Sequence, residues 1–286
     1  MARCDGDPGV GRRRSRRGGE DAVVPRPAAT VLLVRDAPDG GLEVFLQRRV
    51  SGMAFAGGMT VFPGGGVSSS DVPDLARWQG PAPDEWGRRL GCEPGLAGSF
   101  VQAAIRETFE ECGVLLAGPA DGPPASLPDG ARLRDDLNER RRTLGEMLTE
   151  YDFVLRTDLL EGWARWITPP SNPRRYDTAF LIARVPDGQR ADDRTTEAVE
   201  ARWWSPPEAL RAHDALEIEL MAPTLRTLQE LAEHDSAGSA IAAAPGRSII
   251  PVIPRVRREG NSVSVVLPDD PDWETAADHL TPKGPA

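Results

Sequence analysis

One segment of nine residues, Arg106–Val114, most constrains how this 286-residue chain can fold. When it is placed on a helix at about 100° per residue, Glu107, Glu110 and Glu111 fall on one side. Gly113 follows at the position where such a helix would end. The opposite side carries residues that can be buried in a core, namely Val101, Ile105, Thr108, Phe109 and Cys112.

Three carboxylates on one helix face have two interpretations. On a solvated surface, like charges one turn apart cost only a few tenths of a kcal/mol. In a cleft, two carboxylates about 4 Å apart repel by about 4 kcal/mol at an effective dielectric near 20. They would then need a cation, and hard oxygen ligands suit Mg²⁺ or Mn²⁺. Spacing alone leaves both interpretations open.

Composition bounds the class of protein. The chain is 40% hydrophobic and 27% charged, as in soluble globular proteins. Its net charge of -10 argues against a general nucleic-acid binder. The sequence contains no apolar run of 18 residues, so no membrane span is expected. Three scattered cysteines fit a reduced, cytoplasmic protein better than a disulfide framework.

A β-hairpin is predicted near the start of the globular region. Ala28–Val34 and Leu42–Gln47 are short apolar runs separated by the turn signal Asp39–Gly41. Met59–Phe62 is a third short strand, and it leads through Pro63 into Gly64–Gly66. Consecutive glycines permit a ligand to approach the backbone closely, although a plain turn has the same composition.

The remaining patterns predict a mixed α/β fold. A short helix is expected around Glu85–Leu90, and Ser99 is expected to cap the helix that ends near Cys112. Later helices are predicted at Ala131–Tyr151, from Pro206 onwards and at Leu216–His234. Further strands are predicted at Trp163–Thr168, Ala179–Val185 and Ala198–Ser205, followed by a linker at Ser236–Gly246 and a hairpin within Ile249–Leu267.

The acidic segment resembles half of a known signature. Arg106-Glu107-x-x-Glu110-Glu111-x-Gly113 resembles the second half of the Nudix box, Gly-x5-Glu-x7-Arg-Glu-U-x-Glu-Glu-x-Gly-U, with U apolar. The first half is present but displaced, because Gly65 is followed after five residues by Asp71, where the family has Glu. Asp71 precedes Arg106 by 35 positions instead of the family's eight, so about 27 residues are inserted.

The resemblance implies a fold and a domain layout. The fold is an α/β/α sandwich with a mixed sheet, helical insertions and a C-terminal extension. Residues 1–27 are interpreted as a disordered Arg/Gly-rich tail, and 28–235 as the Nudix hydrolase domain. Insertions are expected at about 72–98 and 118–151, and residues 236–286 are expected to form an extension with a hairpin and a tail.

The resemblance also implies hydrolysis of a nucleoside diphosphate linked to another group. By motif position, Glu107, Glu110 and Glu111 would bind Mg²⁺ or Mn²⁺, and Arg106 would orient them through ion pairs. Gly64 and Gly65 would shape the loop beside the metal site. Glu197 is the first candidate for the general base and Glu200 the second, while plain surface charge remains the other interpretation of both.

Arginines outside the box are candidates for contacts with phosphate. Arg174 and Arg175 enter a predicted strand, and a guanidinium binds phosphate through two donors. The alternative is a structural pair between these arginines and Asp177. Upstream of the box, some family members carry a coenzyme A signature, Leu-Leu-Thr-x-Arg-Ser-x3-Arg-x3-Gly-x3-Phe-Pro-Gly-Gly. Arg49 matches the first arginine of this signature.

Four features resemble one branch of the family: Phe62–Gly65, the long gap before Ala103–Glu107, Ile167–Pro169 with Pro173–Thr178, and Ala201–Pro206. On these features the chain most resembles the coenzyme A diphosphatase-like branch that has an insertion inside the box. The expected substrate is coenzyme A or acyl-CoA, although Val50 and Ala54 depart from the branch signature. Alternative substrates are ADP-ribose, NADH, dinucleotides and nucleoside triphosphates, and a non-catalytic binding module is a further alternative. A small-molecule nucleotide is the expected partner, without nucleic acid or membrane, and a homodimer is one alternative for the assembly.

Overall fold

The computed structural model describes residues 23–276, except 53–55, 171, 196–197, 260–261 and 269. Most of the predicted tail at 1–27, the position of Ala54 and the candidate base Glu197 therefore lie outside the described residues. The strands are β1 (Arg26–Asp36), β2 (Leu42–Arg49), β3 (Thr60–Val61), β4 (Gly64–Gly66), β5 (Trp78–Gln79), β6 (Ala117–Gly118), β7 (Val154–Arg156), β8 (Leu160–Ile167), β9 (Tyr176–Arg184), β10 (Ala198–Trp204), β11 (Arg255–Glu259) and β12 (Ser262–Val266). The helices are α1 (Pro83–Leu90), α2 (Pro94–Cys112), α3 (Gly130–Asn138), α4 (Leu144–Glu150), α5 (Pro206–Asp214), α6 (Ala222–Leu231) and α7 (Ala237–Ala243).

A mixed sheet forms the centre of the fold. Its strand order is β10-β2-β1-β9-β8, with β3 paired to β2 and β4 paired to β1. Strand β1 runs parallel to β9 and antiparallel to β2 and β4. The central strand therefore carries the glycine-rich β4 at one end and the predicted hairpin with β2 at the other.

Helices cover both faces of this sheet because its central strand alternates between two cores. Val31 and Leu33 pack into the cluster that contains α1 and α2, whereas Leu32 and Val34 pack into the cluster with α5, α6 and α7. Successive residues of a strand point to opposite faces, so one apolar strand serves both layers. The predicted α/β/α sandwich is confirmed.

Helix α2 begins earlier than predicted. It starts at Pro94, and Ser99 lies inside it instead of capping it. Proline is favoured at the first position of a helix, because its missing N–H would have no intrahelical partner there. The C-terminal end is confirmed, since Gly113 adopts a left-handed φ of 73° and its N–H bonds to the Phe109 carbonyl.

The second insertion and the C-terminal region also differ from the sequence prediction. The helix expected at Ala131–Tyr151 is broken into α3 and α4 by a turn in which Arg140 has a φ of 55°, and a capping box at Thr143 starts α4. The helix expected at Leu216–His234 is confined to α6. Residues of the expected linker form α7, because alanine favours helix and Ser236 caps it.

The C-terminal extension covers an edge of the sheet. The N–H of Ile167 on β8 donates to the Val252 carbonyl at 2.8 Å, and the Val252 N–H donates to the Arg165 carbonyl at 2.8 Å. An edge strand left open would present unpaired backbone groups. The predicted hairpin beyond it is confirmed as β11 and β12. No helix in the described part of the chain is long and apolar enough to cross a membrane.

Candidate active site

Arg106 is the centre of the site. Its side chain is almost buried, and its guanidinium donates Nε and Nη2 to the two oxygens of Asp71, each at 2.9 Å. Nη1 donates to Glu107 Oε1 and Glu110 Oε2, both at 2.8 Å. Nη2 also donates to the Gly66 carbonyl at 2.9 Å. Arg106 therefore joins the acidic helix α2 to Asp71 and to the segment Gly64–Gly66, the glycine turn.

The charge of Arg106 is favoured by its neighbours. Burial opposes the charged form, but the hydrogen bonds to Asp71 and the charges of Glu107 and Glu110 outweigh it, so the pKa of Arg106 lies above its ordinary value. A buried cation is stable only when it is paired in this way. Arg106 therefore holds Glu107 and Glu110 in place, whereas Glu111 accepts from the Gly64 N–H.

The two halves of the box are in contact in the structure, although the insertion separates them in the sequence. Asp71 is 1% exposed and binds Arg106 across 35 residues of sequence. Its second oxygen also accepts the Ser68 N–H at 2.7 Å, and Gln102 of α2 donates to the Ser70 carbonyl at 3.1 Å. The insertion thus leaves the junction between Asp71 and Arg106 intact.

The glycine turn lies against the glutamates of α2. A Cβ on Gly65 would lie 2.5 Å from Glu107 Oε1, so only glycine fits there without moving the carboxylate. A Cβ on Gly64, whose φ is 154°, would lie 2.3 Å from the Ala29 carbonyl oxygen. The Gly64 N–H donates to Glu111 Oε2 at 2.7 Å. The two predicted glycines are therefore in contact with two of the predicted metal ligands.

Gln47 is a site residue that the sequence interpretation missed. It lies on β2, is 1% exposed, and its Nε2 donates to Glu111 Oε2 at 2.5 Å. The available signal was one amide at an inward position of an apolar strand, next to Phe45 and Leu46. Arg49 follows two residues later, so its side chain points to the same face of the sheet as Gln47.

The three glutamates fit a hard divalent cation by their chemistry. They offer carboxylate oxygens, the donors that Mg²⁺ and Mn²⁺ prefer. Glu107 and Glu110 bind the same guanidinium nitrogen, and Glu111 contacts the adjoining glycine turn. Within the described residues no three acidic, histidine or cysteine side chains are already arranged around one point. The ligand role of the glutamates stays a prediction.

Arg134 fastens the end of the acidic helix. This buried α3 residue donates Nε to the Glu110 carbonyl at 2.7 Å and Nη2 to the Glu111 carbonyl at 2.5 Å. Its Nη1 binds Asp192 Oδ1 at 2.5 Å, and the Asp192 N–H donates to the Cys112 carbonyl. The last carbonyls of a helix lack intrahelical donors, and here the second insertion supplies them.

The other predicted arginines occupy different environments. Arg174 is exposed, whereas Arg175 is buried and donates to the carbonyls of Thr168 and Val23 at 2.9 and 2.7 Å. Asp177 forms a bidentate pair with Arg165, at 2.8 and 2.6 Å. Phosphate binding by Arg174 and Arg175 stays a prediction.

Glu200, the second candidate for the general base, lies within the described residues, whereas Glu197 lies outside them. Glu200 on β10 is half exposed and lies 3.6 Å from both Arg48 and Arg202. Those two ion pairs are typical of surface charge. The role of neither glutamate as a base is tested by these contacts.

Comparisons with known proteins identify the family to which this α/β/α sandwich belongs. A family model described as the NUDT19 Nudix domain matches residues 97–231. The chain is 30% identical over 262 residues to acyl-coenzyme A diphosphatase NUDT19 of Gallus gallus, covering 74% of this chain and 69% of that protein. The chain belongs to the Nudix hydrolase family.

Two further similarities support this assignment. Acyl-coenzyme A diphosphatase NUDT19 of Homo sapiens is 28% identical over 249 residues, covering 74% of this chain and 66% of that protein. The chain thus spans about two thirds of the length of these curated relatives. The crystal structure of a NUDIX hydrolase from Alicyclobacillus acidocaldarius superposes with a TM-score of 0.65 at 26% identity, covering 77% of this chain and 96% of that one.

Replacing Arg134 tests whether the second insertion stabilises α2. Arg134→Met removes the donors from two helix-terminal carbonyls, and each unpaired carbonyl costs about 1–3 kcal/mol. We expect the free energy of unfolding, measured in urea, to fall by about 2–4 kcal/mol. Arg132→Met is the matched control on the same helix, since Arg132 is exposed and its ion pairs among the described residues are with Asp129 and Asp136. An equal effect of both variants would contradict the role of Arg134.

Proposed function

We propose that this chain hydrolyses the pyrophosphate bond of coenzyme A or acyl-CoA. Water adds across the P–O–P bond, and the products are 3′,5′-ADP and 4′-phosphopantetheine or its acyl derivative. The chicken and human relatives are named acyl-coenzyme A diphosphatases, which supports this substrate class. The structural observation that supports pyrophosphate hydrolysis is the bidentate pair of Asp71 and Arg106, because it keeps both halves of the box together.

Glu107, Glu110 and Glu111 would hold Mg²⁺ or Mn²⁺ in this proposal. A bound divalent cation neutralises the pyrophosphate, lowers the pKa of water and stabilises the leaving phosphate. Arg106 positions Glu107 and Glu110 through its ion pairs. The turn at Gly64 and Gly65 keeps the backbone close to the carboxylates of α2.

The remaining roles concern the substrate. Arg49 shares the face of Gln47 and would bind a phosphate group, and Arg174 and Arg175 are further candidates for such contacts. Glu197 is proposed as the general base that accepts the proton of the attacking water. The proposed location is the cytoplasm, in agreement with the scattered cysteines.

A substrate panel tests the proposal most directly. The purified full chain is incubated with coenzyme A, an acyl-CoA, ADP-ribose, NADH and nucleoside triphosphates, each with Mg²⁺ or Mn²⁺. We expect release of 3′,5′-ADP from coenzyme A or acyl-CoA, identified by mass spectrometry. Turnover of another substrate, without turnover of coenzyme A or acyl-CoA, would overturn the assignment and favour the alternative Nudix substrates. No turnover of any substrate would favour a binding module.

Removing single charges from α2 tests the roles of its glutamates. Glu110→Gln or Glu111→Gln keeps the shape of the side chain and removes a proposed cation ligand. We expect turnover to fall at least about a hundredfold, or about 2.7 kcal/mol in the barrier, while thermal melting shows an intact fold. Glu208→Gln on the opposite layer is the control. Full activity in both α2 variants would remove these ligand roles.

Neighbouring glycines offer a matched pair of substitutions. Gly65→Ala places a Cβ 2.5 Å from Glu107 Oε1, whereas Gly66→Ala meets no heavy atom within 4 Å. Small displacements of catalytic groups have large kinetic effects, so we expect turnover to fall at least roughly tenfold for Gly65→Ala. Gly66→Ala is expected to retain it. Similar turnover of the two variants would show that Glu107 does not need the space beside Gly65.

A further inference from the structure

Gln47 is a polar residue at a position that otherwise suits the core. Its side chain is 1% exposed, and the preceding residues Phe45 and Leu46 are buried apolar side chains. Phe45 packs in the core cluster that contains α2. Glutamine is rarely buried unless its amide is hydrogen-bonded. The contacts of the Gln47 amide therefore indicate what the residue does.

The amide is satisfied on one side only. Nε2 donates to Glu111 Oε2 at 2.5 Å, whereas Oε1 is buried and accepts no hydrogen bond from the described residues. A buried acceptor without a donor lowers stability. Gln47 is therefore a poor choice for the core alone, and residues that break a local packing rule are expected at functional sites.

Two donors meet at one oxygen of Glu111. The Gly64 N–H lies 2.7 Å from the same Oε2, so this oxygen is held from the strand β2 and from the glycine turn. Two fixed donors on one oxygen set the rotation of the carboxylate about its last bond. The plane of the Glu111 carboxylate is thus determined by the fold before any ligand arrives.

We infer that Gln47 is a positioning residue that presets the Glu111 carboxylate for a divalent cation. The inference rests on the proposed function, in which Glu111 is a ligand. Partners that hydrogen-bond to a ligating carboxylate orient it, and their loss typically costs about 10–100-fold in metal affinity. Gln47 would act through Glu111 and would not contact the cation or the substrate.

The test measures Mn²⁺ binding to the full chain without substrate, by calorimetry or by electron paramagnetic resonance of free Mn²⁺. Gln47→Met has a similar volume and no donor. We expect its Mn²⁺ affinity to fall at least about tenfold, while thermal melting without metal shows an intact fold. Gln47→Asn, which retains an amide but is one methylene shorter, is expected to lose affinity as well.

Gln102→Met is the matched control. Gln102 is also a buried glutamine, but its amide donates to the backbone carbonyl of Ser70 and not to a carboxylate. We expect this variant to bind Mn²⁺ as the wild type does. A similar loss in Gln102→Met would mean that any disturbance around α2 weakens binding, and it would overturn the role of Gln47.

Two other outcomes separate this inference from the proposed function. If the wild type and both Gln47 variants bind Mn²⁺ equally, the positioning role is wrong while the proposed metal site stands. If the wild type binds no Mn²⁺ but turns over its substrate, the metal roles of the glutamates are wrong, and the role of Gln47 is wrong with them.

Discussion

The rest of the site depends on the guanidinium of Arg106. A buried arginine that lost its partners would destabilise the fold by about 3–5 kcal/mol, so the surrounding acceptors are a condition of folding. Those acceptors are Asp71, Glu107, Glu110 and the Gly66 carbonyl. Because the same glutamates are the proposed metal ligands, stability and the geometry of the site are set by one interaction.

The long insertion inside the box is compatible with the ion pairs of Arg106 for a physical reason. The entropic cost of closing a loop grows slowly, by only about 0.6 kcal/mol for each doubling of its length. The insertion is also packed, because Trp86 and Leu90 of α1 belong to the core cluster of α2. Arg165 donates to the Leu90 and Gly91 carbonyls while it pairs with Asp177, which fastens the end of α1 to the sheet. The insertion therefore becomes part of the same layer as the acidic helix.

Several features of the site lower the stability of the fold at positions where the proposed chemistry requires particular groups. Like charges are gathered on α2, and Gly64 adopts a backbone conformation that L side chains rarely adopt. Gln47 also buries an amide carbonyl that no described residue donates to. Each of these features would weaken an ordinary core. They occur together around Glu107 and Glu111, and the apolar clusters on both faces of the sheet compensate for them. Arg134 adds a further restraint by binding the last carbonyls of α2.

The sequence by itself determined the elements whose signals are local: the two-faced helix that ends at Gly113, the hairpin of β1 and β2, and the glycine turn after β3. Periodicity and turn residues act within a few positions, so they can be read directly. The box residues also indicate the family without reference to the fold. Only the tertiary structure decided the start of α2, the break between α3 and α4, and the partners of Asp71, Glu111 and Arg165. The pairs Gln47–Glu111, Asp71–Arg106 and Arg165–Asp177 are separated by 64, 35 and 12 residues. Which side chains satisfy a buried charge therefore depends on how the layers pack.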